Sequence, residues 1–251
     1  MVTFPFQYSN SLFVPFTATV SPGANAAYPV TNLGVREYPF LPWVSASLAQ
    51  QVITLDMGAP QAITHIVLFH ANFVTVTVAH AGSLGGPYTT IGTYTLAPYI
   101  SEVLPLTRGI IQSSWSDRYI RLTIPSQTVT NFAPAFSLGM VEVLATAMMT
   151  TMVENPEQFT SLVVNVPTFT QRIGSHVEAV RAGPRTMVGE ISGKWESLVD
   201  VKTLLALRPS SFILYRNRNL IHEVFFIRVT SGRYTEGFPL SDGSIAWEEV
   251  S

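Results

Sequence analysis

Residues 51–68, QVITLDMGAPQAITHIVL, constrain the fold of this chain more than any other stretch. In the first half Ile53, Leu55 and Met57 alternate with Val52, Thr54 and Asp56. In the second, Ile63, His65, Val67 and Phe69 alternate with Thr64, Ile66, Leu68 and His70. Successive side chains of a strand leave opposite faces of the sheet, so a period of two reads as β. Gly58-Ala59-Pro60 between the halves predicts two strands of one sheet separated by a break.

The same period recurs at 72–78, 89–96, 100–106, 118–124 and 139–145, with Ile120, Leu122 and Ile124 sharing one face. A glycine-rich turn is expected at 81–88. Seven or eight short strands within about 120 residues, and no helical period among them, predict a β-sandwich. Residues 1–27 read as an extended N-terminal arm. Phe4, Phe6, Tyr8, Phe13 and Phe16 are interrupted by Pro5 and Pro15, which lack the ladder donor of a central strand. Those aromatics need a surface, either this chain's own sheet or a neighbouring subunit.

The motifs of residues 28–146 occur in a telling order. Asn32-Leu33 and Trp43-Val44-Ser45 are followed by ITLDMG at 53–58, PQAITHI at 60–66, RYIRLTI at 118–124 and SLGMVEVLA at 137–145. In that order they resemble the discoidin, or coagulation-factor C-type, domain. The resemblance implies a galactose-binding-like jelly-roll β-sandwich with Trp43 in its core. The bridging cysteine pair of many family members is missing, since the chain has no cysteine. No carboxylate cluster suits calcium, which takes six to eight oxygens.

From 147 the composition changes. The first 145 residues hold four Lys/Arg and five Asp/Glu of the chain's 14 and 16, so ten and eleven fall in the last 106. A second domain is therefore expected over 147–251, β-rich, with one helix near 197–208. Ser197 and Asp200 form its capping box, Leu198, Val201, Leu204 and Leu205 its apolar stripe, and Arg208-Pro209 its end. Strands are expected at 159–166, 186–196, 211–215, 223–230 and 245–250, with a polar segment at 170–185. That element order resembles the tail-tube and distal-tail fold of tailed bacteriophages, which implies assembly into a ring.

Bulk properties narrow the function. Charged residues make up 12% and hydrophobic ones 47%, which excludes a disordered chain and predicts a surface partly covered by partners. A net charge of −2 offers nucleic acid and anionic membranes no global attraction. No apolar run reaches the roughly 18 residues of a membrane span, and no secretory signal is apparent. Nucleophile elbows, zinc-protease, phosphate-loop and dinucleotide motifs are all missing. His65, His70, His80, His176 and His222 lack ligand spacing, and Asp56 has no second carboxylate or histidine placed beside it, so both read as structural. No catalytic residue, metal or cofactor is expected.

Sugars stack on exposed aromatic rings with polar groups alongside. Tyr38, Tyr88 and Trp115 occupy loop-like contexts and are the candidate glycan contacts, with Arg36 and Asn72 as polar partners. Arg208, Arg216 and Arg218, with Glu248 and Glu249, are candidate subunit contacts. The leading expectation is a non-enzymatic structural protein of a phage virion, made in the host cytoplasm, in the tail tip, distal tail or baseplate. Copies would assemble into a ring through edge strands and the 170–185 segment, beside other tail or baseplate proteins. The jelly roll would decorate the tail or contact host glycans. The alternatives are a carbohydrate-binding module of a glycan-active protein and a capsid decoration or neck protein.

Overall fold

The computed structural model describes residues 3–8, 14–34, 41–98, 107–130, 133–145, 149–154, 163–165, 168–173, 177–182, 186–195, 211–218, 221–235 and 241–249. In chain order its first strands are β1 (Thr3–Tyr8), β2 (Thr17–Ser21), β3 (Trp43–Val44), β4 (Gln51–Ala71), β5 (Thr75–Ala81), β6 (Thr89–Thr95), β7 (Ala97–Pro98), β8 (Thr107–Ile124), β9 (Ser137–Leu138) and β10 (Met140–Leu144). Then come β11 (Met149–Glu154), β12 (Val163–Asn165), β13 (Thr168–Ile173), β14 (Val177–Ala182), β15 (Thr186–Trp195), β16 (Ser211–Arg218), β17 (Ile221–Thr235) and β18 (Ser241–Glu249). Among the described residues the only helical element is the 3-10 turn Val30–Gly34. The chain is mainly β. It divides into two compact units, one of Ser11–Ala147 with Arg218–Val224, the other of Met1–Asn10, Met148–Asn217 and Phe225–Ser251.

The first unit is a sandwich built on two long strands. The expected break at Gly58-Ala59-Pro60 does not end a strand. β4 runs through it for 21 residues, and both halves pair with the same partner, β8. Below the break Gln51 to Asp56 lie opposite Ile124 to Tyr119; above it Gln61 to Ala71 lie opposite Asp117 to Thr107. Four residues of β4 thus face one of β8 at the corner. An insertion of this kind bends a sheet, because the extra residues find no ladder partner. Each half then joins a different layer. The lower half is flanked by β2, and β8 leads on to β5 and β6. The upper half is flanked by β10, and β8 leads on to β7.

One hydrophobic cluster fills the space between the layers. Ile53, Leu55, Val76, Val78, Ile120, Leu122 and Ile124 come from the first layer, and Ile66, Leu68, Ile111, Val141 and Val143 from the second. Trp43 and Phe136, both fully buried, plug one end, with Phe136 set edge-on to Phe73 at 6.1 Å. Ile120, Leu122 and Ile124 therefore share the inner face, as their spacing requires. Strict alternation fails in the upper half of β4. A register shift between Ile63 and His65 puts Ile63 into the same cluster as Ile66 and Leu68, off the face expected from His65 and Val67.

Residues 1–27, expected as one arm, are divided between the units. β2 pairs along β4, whereas β1 lies between β11 and β16 of the second unit, with Tyr8 opposite Met149. In that unit the sheet path β11-β1-β16-β17-β18-β15 returns on itself, because β11 also pairs with β15. Each of these six strands has a neighbour on both sides, while β12 pairs only with β15 among the described strands. The 170–185 segment forms a separate hairpin, β13 with β14. The expected helix near 197–208 lies outside the described residues.

A buried amide locks the loop between β8 and β10. Asn72 is fully buried; its Nδ2 donates to Ala135 O at 2.9 Å, and its Oδ1 accepts from Ser137 N–H at 2.7 Å. Its backbone adds bonds to Ser137 and Thr130. Replacing it with alanine strands a buried donor and an acceptor at about 1–3 kcal/mol each before any relaxation. Asn72→Ala is expected to lower stability by about 2–4 kcal/mol in urea unfolding.

Candidate functional site

The site lies where β5 leaves the sheet. The glycine-rich turn that follows is closed by its own polar groups. Gly86 N–H donates to Ser83 O at 3.1 Å, and Ser83 Oγ donates to Gly86 O at 2.9 Å. Gly86 has φ +83°, a conformation open to glycine, and a Cβ there would stand 3.1 Å from the Tyr88 ring and amide. Tyr88 is thereby fixed against its own turn, and its hydroxyl donates to Leu84 O at 3.1 Å. Leu84 is 58% exposed at the tip.

His80, the penultimate residue of β5, joins the turn to β8. In register it faces Thr89, next to Tyr88, on one side and Ile120, next to Arg121, on the other. Its ring stacks on Trp115 at 5.5 Å and 24° between planes. Its Nδ1 donates to Asp117 Oδ2, the carboxylate being able only to accept. Asp117 Oδ1 approaches the turn so closely that a Cβ on Gly82 would be 3.3 Å away. Arg121 lays its guanidinium over the Tyr88 ring, 3.4 Å from the centroid. In register Arg121 faces Ala79 and alternates with the core residues Ile120 and Leu122, so it leaves the sheet away from the core, whereas His80 faces Ile120. Trp115, opposite Ile63, and Asp117, opposite Gln61, lie beyond the corner, where the register of β8 shifts. Trp115 is half-buried and also reaches the edge of the core cluster.

Of the residues expected to touch a glycan, Tyr88 stacks under Arg121 and Trp115 stacks on His80, at two places beside the same turn. Tyr38 and Arg36 lie outside the described residues. Asn72 is corrected: fully buried and with its amide fully engaged, it has nothing left for a ligand. His80, Asp117 and Arg121 were not anticipated as site residues. Only the outer parity of β8 marks Arg121, and nothing local marks His80 or Asp117. Arg208 lies outside the described residues. Arg216 and Arg218 are on β16, Arg216 in register with Phe6. Glu248 on β18 stands in register with Arg228, and Glu249 with Ile227.

Two other ionisable groups are structural, as their surroundings show. Asp56 sits at the β4 corner, where Oδ1 accepts from Gly58 N–H at 2.8 Å and from Arg118 Nε at 2.6 Å, and Oδ2 from Arg118 Nη2 at 2.8 Å. The Arg118 guanidinium holds its carboxyl below the usual carboxylate range, helped by the Gly58 amide and opposed by desolvation. Gly58, with φ +76°, supplies the left-handed step at the corner. His65 is buried with Nδ1 3.0 Å from Thr64 Oγ1, and burial pushes its imidazole below the ordinary value of 6.5. Among the described residues no group of three His, Cys, Asp or Glu could hold a metal ion, and no helix is long and apolar enough to cross a membrane.

No family model and no curated protein matches the chain. Solved structures resemble about half of it. One is the chitosan-binding module 1 of a Paenibacillus sp. IK-5 chitosanase/glucanase, 20% identical over 52% of this chain and 95% of that one, with a TM-score of 0.41. Another is CpGH89CBM32-5 of Clostridium perfringens, in complex with GalNAc-β-1,3-galactose, 14% identical over 53% and 99%, TM-score 0.42. A third is the family 32 carbohydrate-binding module of C. perfringens NanJ in complex with galactose, 12% identical over 57% and 98%, TM-score 0.41.

Acid should unfold the sandwich in two stages. The folded His65 binds its proton less readily than the unfolded one, so stability falls as pH drops below about 6.5. Asp56, whose folded value is depressed, contributes stability above the unfolded carboxylate value of 3.8 that is lost as pH falls through the folded one. Urea midpoints measured from about pH 8 to about pH 3 should show both stages. His65→Gln should remove the upper stage and Asp56→Asn the lower.

Proposed function

We propose that the sandwich unit binds a glycan at the glycine-set turn that follows β5. The observation that carries this is the pair of stacked groups beside that turn. Arg121 stacks on Tyr88 at its end, and His80, just before it, stacks on Trp115 and bonds Asp117, whose Oδ1 approaches Gly82. Sugar rings need an aromatic face and hydrogen-bonding groups at its rim, and this cluster supplies both. One face of each ring is taken by its polar neighbour, so a sugar would meet an aromatic edge or second face with an imidazole or guanidinium beside it. The role read here is binding: Ser83 Oγ, the hydroxyl within the turn, is committed to Gly86 O.

Glycan-array binding of the full chain tests this reading. Tyr88→Ala is expected to weaken binding at least about tenfold, from the loss of one stacking face. Gly86→Ala should do the same by displacing Tyr88 without changing the identity of any site side chain. Unaltered binding by both variants, each checked for an intact thermal transition, would overturn the location; no binding by the parent would overturn the function.

A second reading assigns assembly in a phage tail to the other unit, and one observation favours it. Among the described strands β13 and β14 pair only with each other. An isolated two-stranded hairpin is marginal in water, so a neighbouring surface would stabilise it. Light scattering on the full chain should then show a closed oligomer that dissociates when residues of Thr168–Ala182 are replaced by a short Gly-Ser loop; a monomer in both cases would exclude it.

A further inference from the structure

Arg121 is held in place without a countercharge. Its guanidinium lies 3.4 Å above the Tyr88 ring, and that ring is tethered in turn through its hydroxyl to Leu84 O. The stack restrains the group, so little rotamer freedom is left to lose when it binds. The neighbouring carboxylates are already engaged. Asp56 takes Arg118 through two oxygens, and Asp117 takes His80. Among the described residues no Asp or Glu lies within ion-pair distance of Arg121. Its Nε is buried without a hydrogen-bond partner, while its two Nη groups are neither buried nor hydrogen-bonded.

A guanidinium has five donors in a plane and no acceptor. With Nε covered, the two Nη groups form an outward fork. Two parallel N–H donors match the two oxygens of a carboxylate, and such bidentate pairs are among the stronger charge-assisted hydrogen bonds. The local balance points the same way. The Asp56–Arg118 pair cancels itself and Asp117 is engaged by His80, so Arg121 is the uncompensated cation of the cluster.

We propose that Arg121 receives the carboxylate of an acidic sugar, a uronic or sialic acid type, while Tyr88 meets its ring. This rests on the glycan-binding reading above and names the ligand class for it. The tyrosine holds the arginine, and the arginine selects the sugar.

Calorimetric titration of the full chain with oligogalacturonate and with sialyllactose tests it, against methyl-esterified oligogalacturonate and lactose as the neutral counterparts. At least one acidic probe is expected to bind at least tenfold more tightly than its neutral counterpart. Arg121→Gln should abolish that preference while leaving weak neutral binding, and Arg121→Lys, which keeps the charge and loses the fork, should restore it only in part. Both variants replace a half-exposed surface side chain, and their thermal transitions should match the parent. Equal binding of acidic and neutral probes, or a preference that survives Arg121→Gln, would overturn the assignment and leave the glycan site standing. A sulfated galactan bound as tightly as the carboxylated probes would replace the carboxylate by a general anion preference. No binding by any sugar would remove both readings together.

Discussion

The pairing of β4 with β8 supports everything else in the sandwich. Two strands of 21 and 18 residues run together through both layers, and they change layer at the same corner. Each layer's remaining strands hang on one half of this pair. The corner is therefore the point at which a shared ladder becomes two sheets facing each other. The Asp56 carboxylate meets both demands of that bend. It caps the Gly58 amide freed from the ladder, and it clamps the Arg118 side chain of the opposite strand. A carboxylate in this position looks like a lone acid in the sequence, and its partners appear only when the two strands are laid side by side.

The functional cluster depends on the same pair by a different route. Alternation along β8 has two products. The inner parity, Ile120, Leu122 and Ile124, fills the core, and Arg121 between them leaves by the opposite face to meet Tyr88. The site is thus a surface of the core strand and not an addition to it. Its rigidity follows: the side chains stand on a central strand, with β4 on one side and β5 on the other. The glycine-rich turn is closed by the Ser83–Gly86 bonds and fixed to Tyr88.

Much of this was legible in residue order. The period of two at 118–124 named the inner face of β8, Trp43 was expected in the core, and the turn at 81–88 announced itself by composition. Other features need pairing information that no single segment contains. Gly58-Ala59-Pro60 has the composition of a strand end, yet the chain continues through it because β8 pairs on both sides; the local signal records a bend and not a terminus. Ile63 leaves its expected face because a register shift, invisible without the partner strand, intervenes before His65. His80 looked structural because its significance comes from Trp115 and Asp117, 35 and more residues away. Asn72 looked like a free polar group and proved to be the buried tie of a distant loop. In each case, contacts distant in sequence overrode the local pattern.

The course of β1 has a consequence of its own. Tyr8, at the end of that strand, lies directly opposite Met149, at the start of β11, and the strands β2 to β10 are threaded between them. Residues in antiparallel register stand about 5 Å apart. The path from β1 to β11 therefore leaves and rejoins one sheet at neighbouring positions, as a hairpin does, with nine strands where two turn residues would suffice. In topological terms the sandwich is a cassette carried in a β-turn. Its host sheet contributes strands from both ends of the chain, and its own size and surface can change without altering the register of the strands that frame it.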